Sequence, residues 1–135
     1  MTGYKIDNDD RGGFYFIDNI DWPNGCYSMS YGIFLAQRNR GHGARLAEAG
    51  VDYAFEVLNL RRGECEVLGD NHTSIRCLEK AGFVLEGTKR RAIARCGLEI
   101  DSLMYGILRS DWLNLKRVRD MDGFCNLNVL DNIRQ

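Results

Sequence analysis

The stretch QRNRGHGARLAEAGVDYAFEVLNL places a basic, glycine-rich turn directly before a segment with helical periodicity. Small and apolar side chains recur at helical spacing from residue 44 to residue 58, which predicts a helix that starts just after Gly43. The first N–H groups of a helix lack intrahelical partners, and that end of the helix is electropositive. Gly41 and Gly43 let a ligand approach those amides, and Arg38 and Arg40 add positive charge. The turn therefore predicts an anion site suited to a diphosphate; the alternative is an ordinary tight turn with solvated arginines.

A second segment of interest is DNHTSIRCLEKAGF, which has the features of a compact helix. Asp70 or Asn71 can cap its N-terminus, and Ile75 and Leu78 share one face. Gly82 supplies the left-handed residue that commonly ends a helix. We therefore predict a short helix between two strands.

The remaining segments predict a sheet with helices covering it. Strand-like patterns occupy GGFYFIDNI, CYSMSYGIFLA, GECEVLG, FVLEG and IDSLMYGILR, and DWPNG forms a turn between the first two. KRRAIARCGLE is interpreted as a basic connector, and Ser110 or Asp111 caps a last helix, DWLNLKRVRD. The length predicts one domain over residues 1–135, with a polar N-terminal segment at 1–13 and an unassigned tail at 122–135. The order of the elements predicts an α/β (α+β) fold with a mixed sheet.

Composition excludes several classes of function. The net charge of −1 argues against bulk binding to nucleic acid or to an anionic membrane surface. We find neither the apolar region of a signal peptide nor an apolar run long enough to span a membrane, so we expect a cytoplasmic protein. The five cysteines are scattered and there are only two histidines, so we expect free thiols and no metal site.

The strand, glycine-rich turn and helix, followed by the later helix, resemble the GNAT acetyltransferases, and most closely their RimJ/RimL branch. The later segment in that family has the form N-x-x-(S/A)-I-x-x-x-E-K-x-G-F. This chain matches every specified position of the motif, with Asn71, Ser74, Ile75, Glu79, Lys80, Gly82 and Phe83. The resemblance covers roughly residues 14 to 114 and implies a central, mostly antiparallel sheet flanked by helices. It also implies an N-acetyltransferase that uses acetyl-CoA as co-substrate and acetylates a primary amine, either a protein or peptide N-terminus or a small-molecule amine.

Cofactor contacts follow from the resemblance, residue by residue. In the family, the strand before the turn runs beside the pantetheine arm, the turn holds the pyrophosphate, and the later helix lines the other side of the cleft. The matching positions are Phe34, Leu35, Ala36, Arg38, Arg40, Gly41, His42, Gly43, Ala44, Asn71 and Arg76. Asn71 can serve equally as a helix cap, and Arg76 can be a solvated surface charge.

The candidate catalytic residues are Asn71, Ser74 and Glu66. Many family members carry a tyrosine four residues before the glycine of the closing Gly-Phe pair, where it protonates the leaving thiolate. The matching residue here is Leu78, which has no proton to donate. Ser74 or a bound water then remains as the proton donor, and Glu66 can position a water as base. The alternative for Glu66 is an exposed strand charge.

The segment before Phe14 departs from the family pattern, in which a strand and two helices precede this point and form one wall of the acceptor pocket. Thirteen mostly polar residues stand there instead, which indicates an N-terminally truncated, GNAT-like fold. The alternative function is therefore a CoA-binding relative with little or no catalytic activity, acting as an interaction or sensory module. A third alternative is an α/β domain with a different anion ligand or none. Because truncation would bare apolar surface, we also expect a homodimer.

The acceptor amine must be neutral to attack the thioester. With a pKa of about 7.7–8.0, an α-amine costs less to deprotonate at neutral pH than a lysine amine with a pKa near 10.4. The basic connector, with Lys89, Arg90, Arg91 and Arg95, favours an acidic acceptor unless it is simply a solvated hairpin.

Overall fold

The computed structural model describes residues 4–9, 13–33 and 42–134, which form six strands, three α-helices and one short π-helical turn. In chain order these are β1 (Tyr4–Asp9), β2 (Gly13–Asp21), β3 (Cys26–Ile33), α1 (His42–Asp52), the π-helical turn (Tyr53–Val57), β4 (Arg62–Leu68), α2 (His72–Ala81), β5 (Val84–Arg95), β6 (Leu98–Leu108) and α3 (Arg109–Arg134). Within this part of the chain, no helix is long and apolar enough to cross a membrane.

The described strands form one sheet in the order β1-β2-β3-β4-β6-β5. All neighbouring strands are antiparallel except β3 and β4, which run parallel. A parallel pair requires a crossover, and α1 with the π-helical turn provides it. The prediction of a mixed, mostly antiparallel sheet with helices is therefore confirmed.

The polar N-terminal segment contributes a strand that the sequence pattern did not predict. β1 pairs with β2, so that Tyr4 lies opposite Ile17 and Ile6 lies opposite Tyr15. The sequence YKIDND has few apolar residues, so it lacks the signal of a strand that buries one face.

The prediction of a basic connector between two short strands was wrong. β5 continues through this segment to Arg95, and a tight turn at Cys96 and Gly97 leads into β6. Both turn residues have positive φ, 52° and 75°, which matches the turn that right-twisted strands prefer. β5 lies at an end of the described sheet and is exposed along most of its length, so neither face carries an apolar pattern.

The last helix is longer than predicted at both ends. It begins at Arg109, before either predicted cap, and its backbone continues to Arg134 through most of the unassigned tail. The Asp111 carboxylate accepts a hydrogen bond from the Leu108 N–H at 3.0 Å, so Asp111 does cap this end of the helix, but from its third residue and not from the N-cap position.

The hydrophobic core lies between one face of the sheet and the described helices. Alternate strand residues point to this face, which is why Tyr27 and Met29 of β3 and Cys65 and Val67 of β4 are all buried. The predicted stripe on α1 meets them, since Ala47 and two residues one and two turns further on are almost fully buried. The core therefore packs β3, β4 and α1 together. These three elements surround the candidate site.

Candidate functional site

The candidate cleft lies at the point in the sheet where the pairing of β3 with β4 ends. The two strands pair over only three positions, the last of which joins Ser28 to Glu64. Beyond that point no pairing joins the described residues of the two strands, although β3 continues to Ile33 and β4 continues to Leu68. Strand edges that lack a strand partner can hydrogen-bond an extended ligand that carries amide groups. The unpaired parts of β3 and β4 therefore offer a binding site for such a ligand.

The N-terminus of α1 lies near the open end of this cleft. Gly13 pairs with Ile33 at the end of β3, and a Cβ on Gly13 would lie 2.7 Å from the Leu46 side chain in the second turn of α1. Gly43, in the first turn, is buried. The electropositive end of α1 and the cleft are thus on the same side of the molecule.

The N-terminus of α2 is capped by Asn71, one of the two residues that the sequence predicted as possible caps. The Asn71 side chain accepts a hydrogen bond from the Ser74 N–H at 3.2 Å. The other candidate, Asp70, instead pairs its carboxylate with Arg95 at 3.3 Å. Gly82 ends the helix with φ of 103°, which confirms the predicted left-handed stop.

Tyr31 of β3 contacts the first turn of α2. Its hydroxyl lies 2.7 Å from the Ser74 hydroxyl and donates to the Ser74 carbonyl at 3.2 Å. The tyrosine is half-buried, and this burial raises the pKa of Tyr31 to about 12, so the hydroxyl keeps its proton at neutral pH. A proton-bearing pair of hydroxyls therefore joins β3 to α2.

Leu78 occupies a different environment from Ser74, although both are on α2. Its side chain is fully buried in the core. Leucine suits this position because the side chain belongs to the hydrophobic core, which also includes Ala81 and Phe83. Proton donors close to the cleft therefore have to come from other positions.

The opposite face of the sheet, which none of the described helices covers, carries charged side chains. Arg62 donates to Glu86 at 2.9 Å and to Glu64 at 3.2 Å. This hydrogen bond from Arg62 lowers the pKa of Glu86, so that carboxylate stays ionised in mildly acidic solution. Gly106 makes room for the arrangement, because a Cβ there would overlap the Glu86 carboxylate.

Glu66 belongs to this charged face. It accepts a hydrogen bond from the buried Ser102 hydroxyl and pairs with Lys89 Nζ at 3.6 Å. Its neighbour Cys65 points into the core on the other face. Glu66 and Ser74, two of the predicted catalytic residues, thus lie on opposite faces of the sheet.

The basic side chains of β5 are largely paired with acidic neighbours. Lys89 pairs with Glu66, Arg91 lies 3.9 Å from Glu99, and Arg95 contacts Asp70. These pairs reduce the net positive charge of the hairpin. The hairpin therefore offers weaker support for an acidic acceptor than the sequence suggested.

Many of the predicted cofactor contacts lie outside the described residues. These are Phe34, Leu35, Ala36, Arg38, Arg40 and Gly41, and nothing is described of the His42 side chain. Within the described part, Ala44 is half-buried in the first turn of α1 and Arg76 is exposed on α2. In that same part, no three His, Cys, Asp or Glu side chains gather as metal ligands would.

Sequence reasoning missed Tyr31 and Ser102, which contact two of the predicted site residues. Tyr31 is separated from Ser74 by 43 positions, and Ser102 from Glu66 by 36. The available signal for Tyr31 was its position: it shares a strand face with Tyr27 and Met29 and lies just before the glycine-rich turn. A tyrosine with one polar end at the edge of a core usually has a hydrogen-bond partner.

Comparison with known proteins identifies the class to which this fold and cleft belong. Residues 1–84 match the family model described as the acetyltransferase (GNAT) domain. Because this match covers more than half of the chain, the protein belongs to the GNAT acetyltransferase family.

Curated relatives of this chain have names from the same activity class. The chain is 39% identical over 82 residues to "Probable N-acetyltransferase YjcK" of Bacillus subtilis, a match that covers 59% of this chain and 45% of the relative. It is 30% identical over 93 residues to "Uncharacterized N-acetyltransferase p20" of Bacillus licheniformis, covering 69% and 52%. The chain therefore spans about half the length of these relatives.

Solved structures agree with the fold. A chimera of the spermidine N-acetyltransferase SpeG from Vibrio cholerae and hSSAT superposes with a TM-score of 0.72 at 25% identity. The match covers 76% of this chain and 62% of the solved chain.

Proposed function

We propose that the protein is an acetyl-CoA-dependent N-acetyltransferase. The observation that carries the proposal is the divergence of β3 and β4 beside the N-termini of α1 and α2, in a chain of the GNAT family. The strand edges in the cleft suit the two amides of a pantetheine arm, and the N-terminus of α1 suits a pyrophosphate. The RimJ/RimL-like assignment is part of this proposal. The presence of serine at position 74 together with leucine at position 78 of the motif supports it.

The two faces of the sheet suggest from which side the amine attacks and towards which side the thiolate leaves. The acceptor amine would attack from the face that carries Glu66, which can hold a water as base. The lone pair of the amine forms the C–N bond and the C–S bond breaks, with its electron pair passing to sulfur. The thiolate would leave towards the face that carries Asn71 and Ser74. No covalent enzyme intermediate is required.

The acceptor is a primary amine, and the charges of the described residues favour a cationic small molecule over an acidic peptide. The helix-free face holds three carboxylates, those of Glu64, Glu66 and Glu86, against Arg62 and Lys89. The exposed carboxylates of Glu64 and Glu66 can attract an ammonium group to the site before it is deprotonated. The structural similarity to a spermidine acetyltransferase is consistent with such an acceptor.

The test of the proposal is calorimetric titration of acetyl-CoA into the wild-type protein and into a Gly41→Val, Gly43→Val double variant. We expect micromolar binding by wild type and a loss of at least tenfold in the variant, because the valine side chains would keep a phosphate from the α1 amides. Gly87→Val is the matched control, since a Cβ at Gly87 meets nothing within 4 Å. Thermal unfolding of each variant checks that the fold is kept.

The titration, combined with an acetylation assay on spermidine and on a glycyl peptide, separates the candidate functions. Binding together with acetylation of spermidine or of a glycyl peptide supports the enzyme. Binding without turnover on either amine supports the alternative, a CoA-binding module, which the helix-free face of the described sheet favours. Wild-type protein that does not bind acetyl-CoA refutes both and leaves the turn as a structural turn.

We also propose that the protein forms a homodimer. Val84 and Leu85 are 56% and 49% exposed on β5, the strand at one end of the described sheet. Exposed edge strands with apolar side chains readily pair with another chain. Light scattering after size exclusion should return twice the 15.4 kDa chain mass, and a value of one chain mass would contradict the proposal. Cytoplasmic localisation and the absence of nucleic-acid and membrane partners remain predictions from composition.

A further inference from the structure

The hydroxyl pair formed by Tyr31 and Ser74 joins β3, one side of the cleft, to the first turn of α2. Tyr31 belongs to β3, just past the last position at which β3 pairs with β4. Ser74 belongs to the first turn of α2 and its N–H is held by the Asn71 cap. The two hydroxyl oxygens are 2.7 Å apart. This distance is that of a well-formed O–H···O hydrogen bond.

The Tyr31 hydroxyl has two oxygen acceptors on Ser74, and the Cys77 thiol is a further hydrogen-bonding neighbour. The Tyr31 proton can be donated to the Ser74 carbonyl, at 3.2 Å, or to the Ser74 hydroxyl oxygen. In the first arrangement the Ser74 hydroxyl donates its own proton to Tyr31. In the second arrangement Tyr31 donates to Ser74, and the serine proton is released for a third group. A small rotation of two hydroxyls therefore decides whether Ser74 can donate into the cleft.

The neighbours of Tyr31 keep this pair neutral. The titratable groups that face its hydroxyl are the thiols of Cys77 on α2 and Cys65 on β4. Burial raises the pKa of Cys65 to about 12 and also raises the pKa of Cys77, although Lys80, the hydrogen bond with Tyr31 and Arg76 partly oppose the shift at Cys77. With these thiols protonated, nothing among the described neighbours competes as an anion for the Ser74 proton.

We propose that Tyr31 is a positioning residue that directs the Ser74 hydroxyl at the sulfur of the leaving coenzyme A, an inference that rests on the proposed function. When the C–S bond breaks, its electron pair remains on sulfur as a thiolate. Ser74 then donates its hydrogen bond to that thiolate, while Tyr31 turns its own proton from the Ser74 carbonyl to the Ser74 hydroxyl. The proton lost by the attacking amine goes to solvent, and solvent later protonates the released thiolate.

The pair stabilises the thiolate by hydrogen bonding and keeps its own protons. A thiol has an ordinary pKa of about 8.5, whereas the pKa of Tyr31 is about 12, so complete transfer of a proton from this pair to sulfur is uphill. A hydrogen bond to an ionised acceptor is stronger than one to a neutral acceptor. The pair therefore favours the thiolate product over the neutral thioester.

The test compares the binding of free coenzyme A with that of acetyl-CoA by titration calorimetry between pH 7 and pH 9. Only free coenzyme A can ionise at sulfur, so wild-type protein should bind it progressively better than acetyl-CoA as the pH rises. Tyr31→Phe should reduce that preference by about 3–10-fold at pH 9 while leaving acetyl-CoA affinity unchanged. Tyr105→Phe is the matched control, because the Tyr105 hydroxyl also contacts α2, at Glu79, 3.3 Å away.

The double variant shows whether Tyr31 acts through Ser74. If it does, adding Tyr31→Phe to Ser74→Ala should change the preference by less than twofold, because the group it positions is already absent. Fully additive effects, or a preference in Tyr31→Phe equal to that of wild type, would overturn the inference while leaving acetyl-CoA binding and the proposed function intact. Absence of acetyl-CoA binding by wild type would refute the proposed function and this inference with it.

Discussion

Phe55→Ala is expected to lower the free energy of unfolding by about 3–5 kcal/mol, the range seen when a buried aromatic side chain is truncated. Phe55 is fully buried in the π-helical turn that follows α1. Its ring stands edge-on to Tyr27 with centroids 5.9 Å apart and stacks on Trp112 at 5.3 Å. Truncation therefore removes contacts to β3 and to α3 at the same time.

The cavity left by Phe55 cannot collapse easily, which is the reason to expect a cost in the upper part of that range. Trp112 is held in place because its indole N–H donates to Asp52 at 2.7 Å. The backbone of the turn is held as well, since Arg109 donates to the carbonyls of Phe55 at 3.1 Å and Leu60 at 2.9 Å. With both walls fixed, most of the space stays empty.

Urea denaturation followed by far-ultraviolet circular dichroism measures this loss. Val57→Ala is the matched control, because Val57 lies in the same π-helical turn but is 62% exposed. We expect that change to stay within about 0.5 kcal/mol of wild type. Similar losses in the two variants would mean that Phe55 does not join β3 to α3 as described.

Gly63→Ala is expected to cost about 1–3 kcal/mol, the usual penalty for forcing an extra group into a packed core. Gly63 lies opposite Tyr27 at the point where β3 and β4 are still paired. A Cβ on Gly63 would lie 2.4 Å from Cζ and 2.5 Å from the hydroxyl oxygen of Tyr27. Tyr27 is 1% exposed and cannot swing aside, because Phe55 packs against its ring.

The same denaturation experiment tests this prediction with two further variants. Gly87→Ala introduces the same methyl group in β5 with nothing within 4 Å, so its stability should stay close to that of wild type. Tyr27→Phe should itself cost little, because the buried Tyr27 hydroxyl has no hydrogen-bond partner among the described residues. Combined with Gly63→Ala, it should restore only part of the stability, since the ring carbon still overlaps the new methyl. Unchanged stability in Gly63→Ala would contradict the close contact between β3 and β4.

The local elements of the fold were predictable because their signals lie within a few residues of one another. The predicted stripe repeats at the period of a helix, and Ala47 and Val51 of α1 and Ala54 of the π-helical turn are all buried, as that period requires. Asn71 and Gly82 mark the two ends of α2. A helix needs a side-chain acceptor at its N-terminus and often ends at a residue with positive φ. The motif between them was also enough to indicate the family.

Segments without an apolar period were the ones that sequence reasoning misplaced. β1 and the basic part of β5 are strands because neighbouring strands supply their hydrogen bonds, although neither segment has a clear apolar pattern in its sequence. Their assignment depends on which segments lie beside them, and that information is absent from their own composition.

The amino-acid sequence by itself determined that a helix follows the glycine-rich turn, where α2 begins and ends, and to which family the chain belongs. It did not determine that α1 starts at His42 and gives way to a π-helical turn after Asp52. Only the tertiary structure decided that Tyr31 meets Ser74, that Ser102 meets Glu66, and that Glu66 and Ser74 lie on opposite faces of the sheet. Caps and periods are set by hydrogen bonds and side-chain directions within one or two turns of chain. The contacts of the site join residues several strands apart, so they depend on the divergence of β3 from β4 and on the packing of α2 against the sheet.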